Sequence, residues 1–469
     1  MQCFSPPTTN STPQTVQTEP HERSAYGAPL GTHRYPPIPG ALENGNHVQK
    51  ITPQKANINI ASLNINGFAS PANNMNGIEK WSSIYQTMKG NKIAILALQE
   101  THLNNELLHS INACFGKRIQ ILNSQLPIDP CSSAGVAFVI NRGLVKPTNL
   151  ESIDLIQGRA AALKFKWHEE EILLINIYAP NNRQENAQFW EDLDEKRRSK
   201  RLRRPDFLLG DFNVTEDPID RAPAHLDDVN AIAALRNLRQ TLGLKDEWRH
   251  AFPNERCFTY RANHNGQQIK SRIDKIYSSN EAAKSIFDWK IRQTSVPTDH
   301  WMVAMKYAPK EAPYIGKGRW TWQLTELKNE ELMEKIKNRG MELQRDMENI
   351  KKENTPREIR NPQTLWARFK GDARDIATRH CKETRGKLSK KLKDLERERK
   401  AISNSERIDT TDSARANEAY LAKELEILTR IRERDRKDDM RAAISSHGEV
   451  LGGVWSAMNK DRKLRDLMY

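Results

Sequence analysis

The stretch from Arg204 to Asn213, Arg-Pro-Asp-Phe-Leu-Leu-Gly-Asp-Phe-Asn, constrains the fold more than any other part of the chain. Its apolar run Phe207-Leu208-Leu209 has the length of a buried strand and is bounded at once by Gly210, so a strand is expected to stop where Asp211 and Asn213 begin. Side chains alternate along extended backbone, which turns Asp211 and Asn213 to one side and leaves Phe212 to anchor the turn in apolar packing. An isolated Gly-Asp-x-Asn is most often an ordinary strand-to-loop turn. Here the pattern recurs. The strand-like segment Ile58 to Leu63 runs into Asn64-Ile65-Asn66-Gly67, Ile93 to Leu98 ends in Gln99-Glu100-Thr101-His102, and Ile172 to Tyr178 runs into Ala179-Pro180-Asn181. Ser271 to Tyr277 and Thr298 to Val303 again join polar residues to strands.

Between these lie helical spacings at Gly77 to Lys89, Leu103 to Phe115, Gln184 to Glu195 and Asp228 to Leu242, the last closed by Gly243. Further strands are expected at Ile119 to Leu122, Gly135 to Ile140, Ala160 to Trp167 and Phe258 to Arg261. So many strands interleaved with helices indicate a packed pair of sheets. Residues 1–54, dense in Pro, Thr, Gln and Asn without a sustained period, are expected to be a disordered arm, and 55–308 a single α/β domain. Pro309, Pro313, Gly316 and Gly318 mark a linker over 309–323 with Arg319-Trp320-Thr321-Trp322 at its end. From 324 to 469 helix formers and charges dominate. Leu388, Leu392 and Leu395, then Leu421, Leu425, Leu428 and Ile431, predict two amphipathic, coiled-coil-like helices paired across the polar break Ser403 to Ser413, a surface also suited to self-association.

The 74 Lys and Arg against 60 Asp and Glu leave a net charge of +14, which favours an anionic partner, most commonly nucleic acid. The basic run Lys196 to Arg204 reads more readily as a solvated loop or localisation signal than as a specific contact, while Lys387 to Lys393 and Arg430 to Lys437 are basic enough to touch phosphates of DNA or RNA. Five scattered cysteines without a Cys-x-x-Cys pair argue for reduced thiols in an intracellular protein rather than a disulfide framework or zinc site, and the expected compartment is the nucleus. The longest apolar run, Ile93 to Leu98, is far short of the roughly 20 residues a membrane helix needs.

Asn64, Glu100, Tyr178, Asp211, Asn213, Asp274, Asp299 and His300 thus stand at or near strand termini, where two sheets could gather them on one rim. Phosphodiester hydrolysis asks for a divalent cation, a base or positioned carboxylate for water, and donors for developing charge. This set contains groups for each task, and Glu100 suits a hard cation such as Mg²⁺ better than any Cys or His cluster.

In Leu63 to Gly67, Leu98 to His102, Asn176 to Pro180, Gly210 to Asn213, Ser271 to Asp274 and Thr298 to His300, taken in that order, the chain resembles the endonuclease/exonuclease/phosphatase superfamily, whose fold is that of deoxyribonuclease I, over Asn57 to Tyr307. The resemblance implies a four-layer α/β sandwich of two packed sheets flanked by helices. It implies a metal site at Glu100 assisted by Asn64, with Asp299 on the metal side or behind it, and Mg²⁺ replaceable by Mn²⁺. Asp211 would activate or orient water, Asn213, Tyr178, Asn64 and Ser271 would contact phosphate, and Asp274 would hold His300 to stabilise the transition state. Gln-Glu-Thr-His resembles the endonucleases of non-LTR retrotransposons, whereas abasic-site enzymes carry Lys where this chain has His102. The basic helical tail, Gly448 to Trp455 and Asn459 to Lys463 resemble the connector to a reverse transcriptase, although no Tyr/Phe-x-Asp-Asp motif occurs. The expectation is an Mg²⁺-dependent DNA endonuclease from a truncated element. The alternatives are a phosphatase or phosphodiesterase of the same superfamily, a catalytically degenerate nucleic-acid-binding remnant, or a helical assembly module.

Overall fold

The computed structural model describes residues 54–448 except 68–76, 129, 132, 146–147, 168, 265–266, 316–323, 354–360 and 406. The expected arm before residue 54, the Arg319 to Trp322 cluster and everything after Gly448 lie outside the described residues. Two six-stranded mixed sheets form the centre. The first runs β15 (Ile286–Arg292), β16 (Met302–Tyr307), β2 (Ile58–Asn64), β3 (Ile95–Gln99), β5 (Val136–Asn141), β4 (Ile119–Ser124). The second runs β11 (Leu244–Lys245), β14 (Asp274–Ser279), β9 (Phe207–Asp211), β8 (Glu170–Tyr178), β7 (Ala160–Trp167), β6 (Thr148–Ile156). Short strands β10 (Arg221–Ala222), β13 (Gln267–Ser271) and β12 (Tyr260–His264) make a third, small sheet, and β1 (Gln54–Lys55) pairs with β17 (Tyr314–Ile315), inside the expected linker.

The apolar runs are nearly continuous because both faces of each large sheet are covered. Ile60, Ile95, Ala97 and Phe138 of the first sheet meet Leu163, Leu174, Phe207 and Leu209 of the second in a central core. Alternate residues point outward. Ala61, Leu63, Leu96 and Leu98 pack under helix α1 (Gly77–Asn91) and helix α2 (Asn105–Phe115), through Trp81, Ile84, Met88 and Ile111. Leu173, Ile175, Ile177 and Leu208 pack under α3 (Arg183–Ser199) and α4 (Val229–Leu242), through Phe189, Trp190, Leu193, Ile232 and Leu235. Three cores separate four layers, as the resemblance implies.

Two parallel pairs set the site. β2 runs beside β3 and β8 beside β9, each pair joined through a helix, so within each pair both strands end at the same rim. Gly210 lies inside β9 rather than ending it, a correction to the expected boundary. It adopts φ +145°, and a Cβ there would stand 1.9 Å from the carbonyl oxygen of Ile177 on the neighbouring strand. Only glycine lets β9 approach β8 this closely. Strands β6 and β15 escape the sequence reading. Both are edge strands with shifts in their pairing register, and both carry polar residues that break the apolar pattern.

The helical segment holds three long helices, α7 (Glu330–Glu353), α8 (Pro362–Ser403) and α10 (Asp412–Gly448), with α5 (Glu247–Ala251), α6 (Asn280–Ala283) and α9 (Arg407–Thr410) as short pieces elsewhere and at the polar break. The expected pairing across that break is present as α8 against α10, and α7 packs on α8 as well. Leu392, Leu421 and Leu425 are buried as the spacing predicts. Gly210→Ala is expected to lower unfolding free energy by about 3 kcal/mol or more. Urea denaturation checks this, and an unchanged midpoint would show that the strand spacing can relax.

Candidate active site

Register brings the polar strand ends together. Tyr178, Asp211 and Asp274 lie in one lateral row, because Tyr178 pairs with Asp211 across β8 and β9, and Asp211 pairs with Asp274 across β9 and β14. On the first sheet Asn64 pairs with Gln99, the last residue of β3, and the chain then turns at Glu100 with φ +51°. The fully buried Asn64 joins the sheets. Its Nδ2 donates to Glu100 Oε1 at 2.8 Å and to Asp211 Oδ2 at 2.9 Å, while its Oδ1 accepts the Asn66 N–H. Asp211 accepts a further bond from the Asn213 N–H at 3.1 Å. Phe212 points away and packs between Trp190 and Tyr277, as the alternation predicts.

His300 closes the other side. Its Nδ1 hydrogen bonds to Asp274 Oδ2 at 2.8 Å, and its Nε2 stands 4.0 Å from Asp211 Oδ2, a gap too long for a hydrogen bond. The Tyr260 ring lies 4.9 Å from the imidazole, and the Thr298 hydroxyl donates to the Asn64 carbonyl while accepting the His300 N–H. Burial opposes charge on His300, but the Asp274 carboxylate outweighs it and raises the ring's pKa to about 10, so an imidazolium is held in place. Burial and then the neighbouring Asp274 charge push Asp211 up to about 7, against the pull of His300 and Asn64. The Tyr178 phenol is pushed up by burial and by the Glu100 and Asp211 charges, and donates to Glu100. It remains a donor at neutral pH.

Residues 61–300, just over half of the chain, match the Endonuclease/Exonuclease/phosphatase family. The chain belongs to that family. It is 29% identical over 223 residues to a transposon TX1 uncharacterized 149 kDa protein of Xenopus laevis, a match covering 47% of this chain and 16% of that protein. The matched part is thus a small fraction of the relative. Among solved structures, it is similar to the endonuclease domain of TRAS1, a telomere-specific non-LTR retrotransposon, at 16% identity and TM-score 0.38, covering 54% of this chain and all of that one. It is also similar to the AP endonuclease LMAP from Leishmania major at 17% identity and TM-score 0.44, covering 54% of this chain and 88% of that one. The family assignment rests on the match over residues 61–300.

Members of the endonuclease/exonuclease/phosphatase family are hydrolases acting on phosphoester bonds, and the oxygen-rich donor set here suits a hard divalent cation. Glu100, Asp211, Asp274 and Asp299 converge around one rim, with His300 and Lys80 as the cations near them. Desolvated negative charge in that excess is the setting a divalent cation relieves. Asp211, Asp274 and His300 form the tightest group, within 4.8 Å of one another, but the Asp274 to His300 hydrogen bond already fills its centre. The half-buried Glu100 and the exposed Asp299, which accepts from Asn66 Nδ2 at 3.2 Å, are the more accessible carboxylates. Asn64 turns its nitrogen to the carboxylates and its oxygen to backbone, so it holds Glu100 rather than offering an oxygen. Asn213 Nδ2 donates to the Ala179 carbonyl at 2.8 Å. Ser271 is fully buried, its hydroxyl without a partner among the described residues, which sets it apart from the accessible rim.

Several contributors escape sequence reasoning. The buried Lys80 of α1 donates to the carbonyls of Ile65, Asn66 and Gly67, pinning the turn that carries Asn64. Burial lowers its pKa to about 8, with Glu100 and Asp299 opposing. Asn176 receives a bond from Gln99 Nε2 at 2.6 Å and donates to the carbonyls of Leu98 and Ala137, stitching the sheets below the site. Arg272, buried two residues before Asp274, binds Asp220 through two nitrogens at 2.8 Å and Asp246 at 2.6 Å. The one available signal was that Asn176 and Gln99 interrupt otherwise apolar runs. Lys80→Met is expected to lower unfolding free energy by about 2–4 kcal/mol by leaving buried carbonyls unpaired. Faster amide hydrogen exchange at Ile65 to Gly67 checks the local effect, and unchanged protection there would remove Lys80 as the pin.

Proposed function

We propose that this chain is an Mg²⁺-dependent endonuclease that nicks DNA and leaves a 3′-hydroxyl. The observation that carries it is the pairing of Glu100 and Asp211 through one Asn64 amide, opposite an imidazolium held by Asp274. Glu100, with Asp299 beside it, would hold the cation, which when bound supplies neutralisation of phosphoryl and leaving-group charge. Asp211 orients a water and takes its proton as the water oxygen bonds to phosphorus and the P–O3′ bond breaks, and the departing O3′ takes a proton from solvent to become the 3′-hydroxyl. The 4.0 Å gap between Asp211 and His300 leaves Nε2–H without that carboxylate as a hydrogen-bond partner, which supports a role in which it donates to a phosphoryl oxygen as charge develops there. The second N–H of Asn213 adds a donor on the same rim, and the Tyr178 hydroxyl, which here donates to Glu100, would turn to phosphate once a cation takes that carboxylate. Likeness to a transposon protein and the net charge of +14 support a DNA substrate and an origin in a non-LTR retrotransposon, where the 3′-hydroxyl would prime reverse transcription. RNA is a further partner for the basic helical segment, and nuclear localisation follows from a DNA substrate. Among the described residues no helix is long and apolar enough to cross a membrane.

Supercoiled plasmid is expected to convert to open circles with Mg²⁺ and not with EDTA, and Glu100→Ala and His300→Ala should each slow conversion by roughly 10²–10⁴-fold in folded protein. Near-normal nicking by either variant would take that residue out of the site. Activity should also follow a bell against pH. The acid limb requires the Asp211 carboxylate and falls at or below about 7, since a bound cation favours the ionised form. The alkaline limb requires protonated His300 and lies near 10. Asp274→Asn removes the charge that raises His300, so the alkaline limb should move to lower pH; a profile with its alkaline limb unmoved would assign that limb to another group.

A further inference from the structure

Between the nuclease domain and helices α8 and α10 lies a cavity of about 230 Å³. Its lining is unusually basic, with Arg256 and Arg261 from the β12 region, Arg292 at the end of β15, Arg399 on α8 and Arg432 on α10. The carboxylates on it are Glu255 and Glu396, and Glu255 is already paired with Lys400 at 2.5 Å. Glu418 of α10, buried behind the wall, is likewise engaged by Lys270 at 2.6 Å and Arg261 at 3.2 Å. Arg399 is different. Its Nε and Nη1 are closed to solvent and make no hydrogen bond among the described residues. Burial and the facing Arg261 charge both work against it, lowering its pKa, yet a guanidinium stays protonated at neutral pH. Glu418 and Glu396 act in its favour, but a largely desolvated guanidinium with two nitrogens lacking hydrogen bonds is costly unless an anion meets it.

The place of the cavity bears on what that anion is. Two guanidiniums lie against the Trp301 ring, Arg261 at 4.6 Å and Arg399 at 4.4 Å from its centroid, and Trp301 directly follows His300. Tyr260, which packs on the His300 ring, directly precedes Arg261. The basic wall therefore lies one residue along the backbone from Tyr260 and His300, which do not themselves line the cavity. We propose that the cavity takes a second phosphodiester of the substrate strand beside the bond that is cut, with Arg399 as its ligand, so that the helical segment forms part of the nuclease's substrate surface. This rests on the endonuclease reading above. The fork of N–H groups on Arg399 matches two oxygens of a phosphate, and a phosphate supplies the charge the cavity lacks.

The test uses the full chain and fluorescence anisotropy with a labelled DNA duplex in EDTA, over a range of KCl, together with thermal melting. Arg399→Met keeps the stem that packs on Trp301 and removes the charge. It is expected to weaken DNA binding about tenfold and reduce the salt slope by about one, without lowering the melting temperature. Arg399→Lys should retain most of the affinity. Unchanged affinity and slope in Arg399→Met, with a lowered melting temperature, would make Arg399 a structural strut and overturn the proposal. If inorganic phosphate raises the wild-type melting temperature, and Arg399→Met abolishes that rise while DNA binding is unaltered, the cavity takes a free anion and the strand assignment fails. Failure of the wild-type chain to bind or nick DNA would strike the endonuclease reading itself, whereas wild-type nicking alongside unaffected Arg399 variants would strike the cavity alone.

Discussion

One side-chain amide sets the geometry of the site. Asn64 ends a strand of one sheet, and its two N–H donors reach a carboxylate on its own sheet and a carboxylate on the other. Both carboxylates are thereby fixed relative to each other across the sandwich, a distance that neither sheet controls alone. An amide has one further use here, since its oxygen accepts the Asn66 N–H and so locks the ring of the turn in a single orientation. Asp or Ser could not take this place, because a carboxylate would add like charge and a hydroxyl has one donor.

The bridging amide works only if the sheets are themselves held in register near the rim. Just below it, Asn176 accepts from Gln99 and donates to two carbonyls of the first sheet, all of them fully buried. Fully satisfied polar groups in an apolar core fix one arrangement where aliphatic packing would tolerate several. On the other flank the buried Arg272 gathers Asp220 and Asp246, so the segment leading into Asp274 is anchored from beneath. Asp274 in turn orients His300. The site is thus a chain of buried polar bonds running from one sheet, through the rim, to the loop before β16.

Most of the rim was legible because each candidate side chain stands beside an apolar run at one end of a strand, where burial must give way to polar groups. Asn64, Glu100, Tyr178, Asp211 and His300 all announce themselves that way, and the order of strands then brings them together. The supporting groups do not. Lys80 sits in a helix among ordinary polar residues, and nothing in its spacing says that its ammonium turns inward to three carbonyls of a distant turn. Arg272, Asp220 and Asp246 are far apart in sequence and meet only through tertiary structure. Ser271 is as deeply buried as Asn64 and Asp274, and its hydroxyl has no partner among the described residues. Edge strands β6 and β15 lack a second covered face at their margin, so their sequence never acquires the apolar period that marks the central strands.

The helical segment is where sequence and structure diverge most in meaning. Its leucine spacing indicates helices packed on one another, and Leu392, Leu421 and Leu425 do pack that way. Its charged face looks like ordinary solvated surface until the fold turns part of it against β12 and β13. There Glu418, nearly inaccessible, meets Lys270 and Arg261, and the Arg256 N–H donates to Asn404 at the end of α8. Ion pairs buried at such a seam add little net stability against an apolar alternative, but they define how the two surfaces fit. Selection for stability alone would favour aliphatic contacts at this seam. The Arg399 guanidinium, two of whose nitrogens lack a hydrogen bond among the described residues, is better accounted for by a ligand that brings its own negative charge.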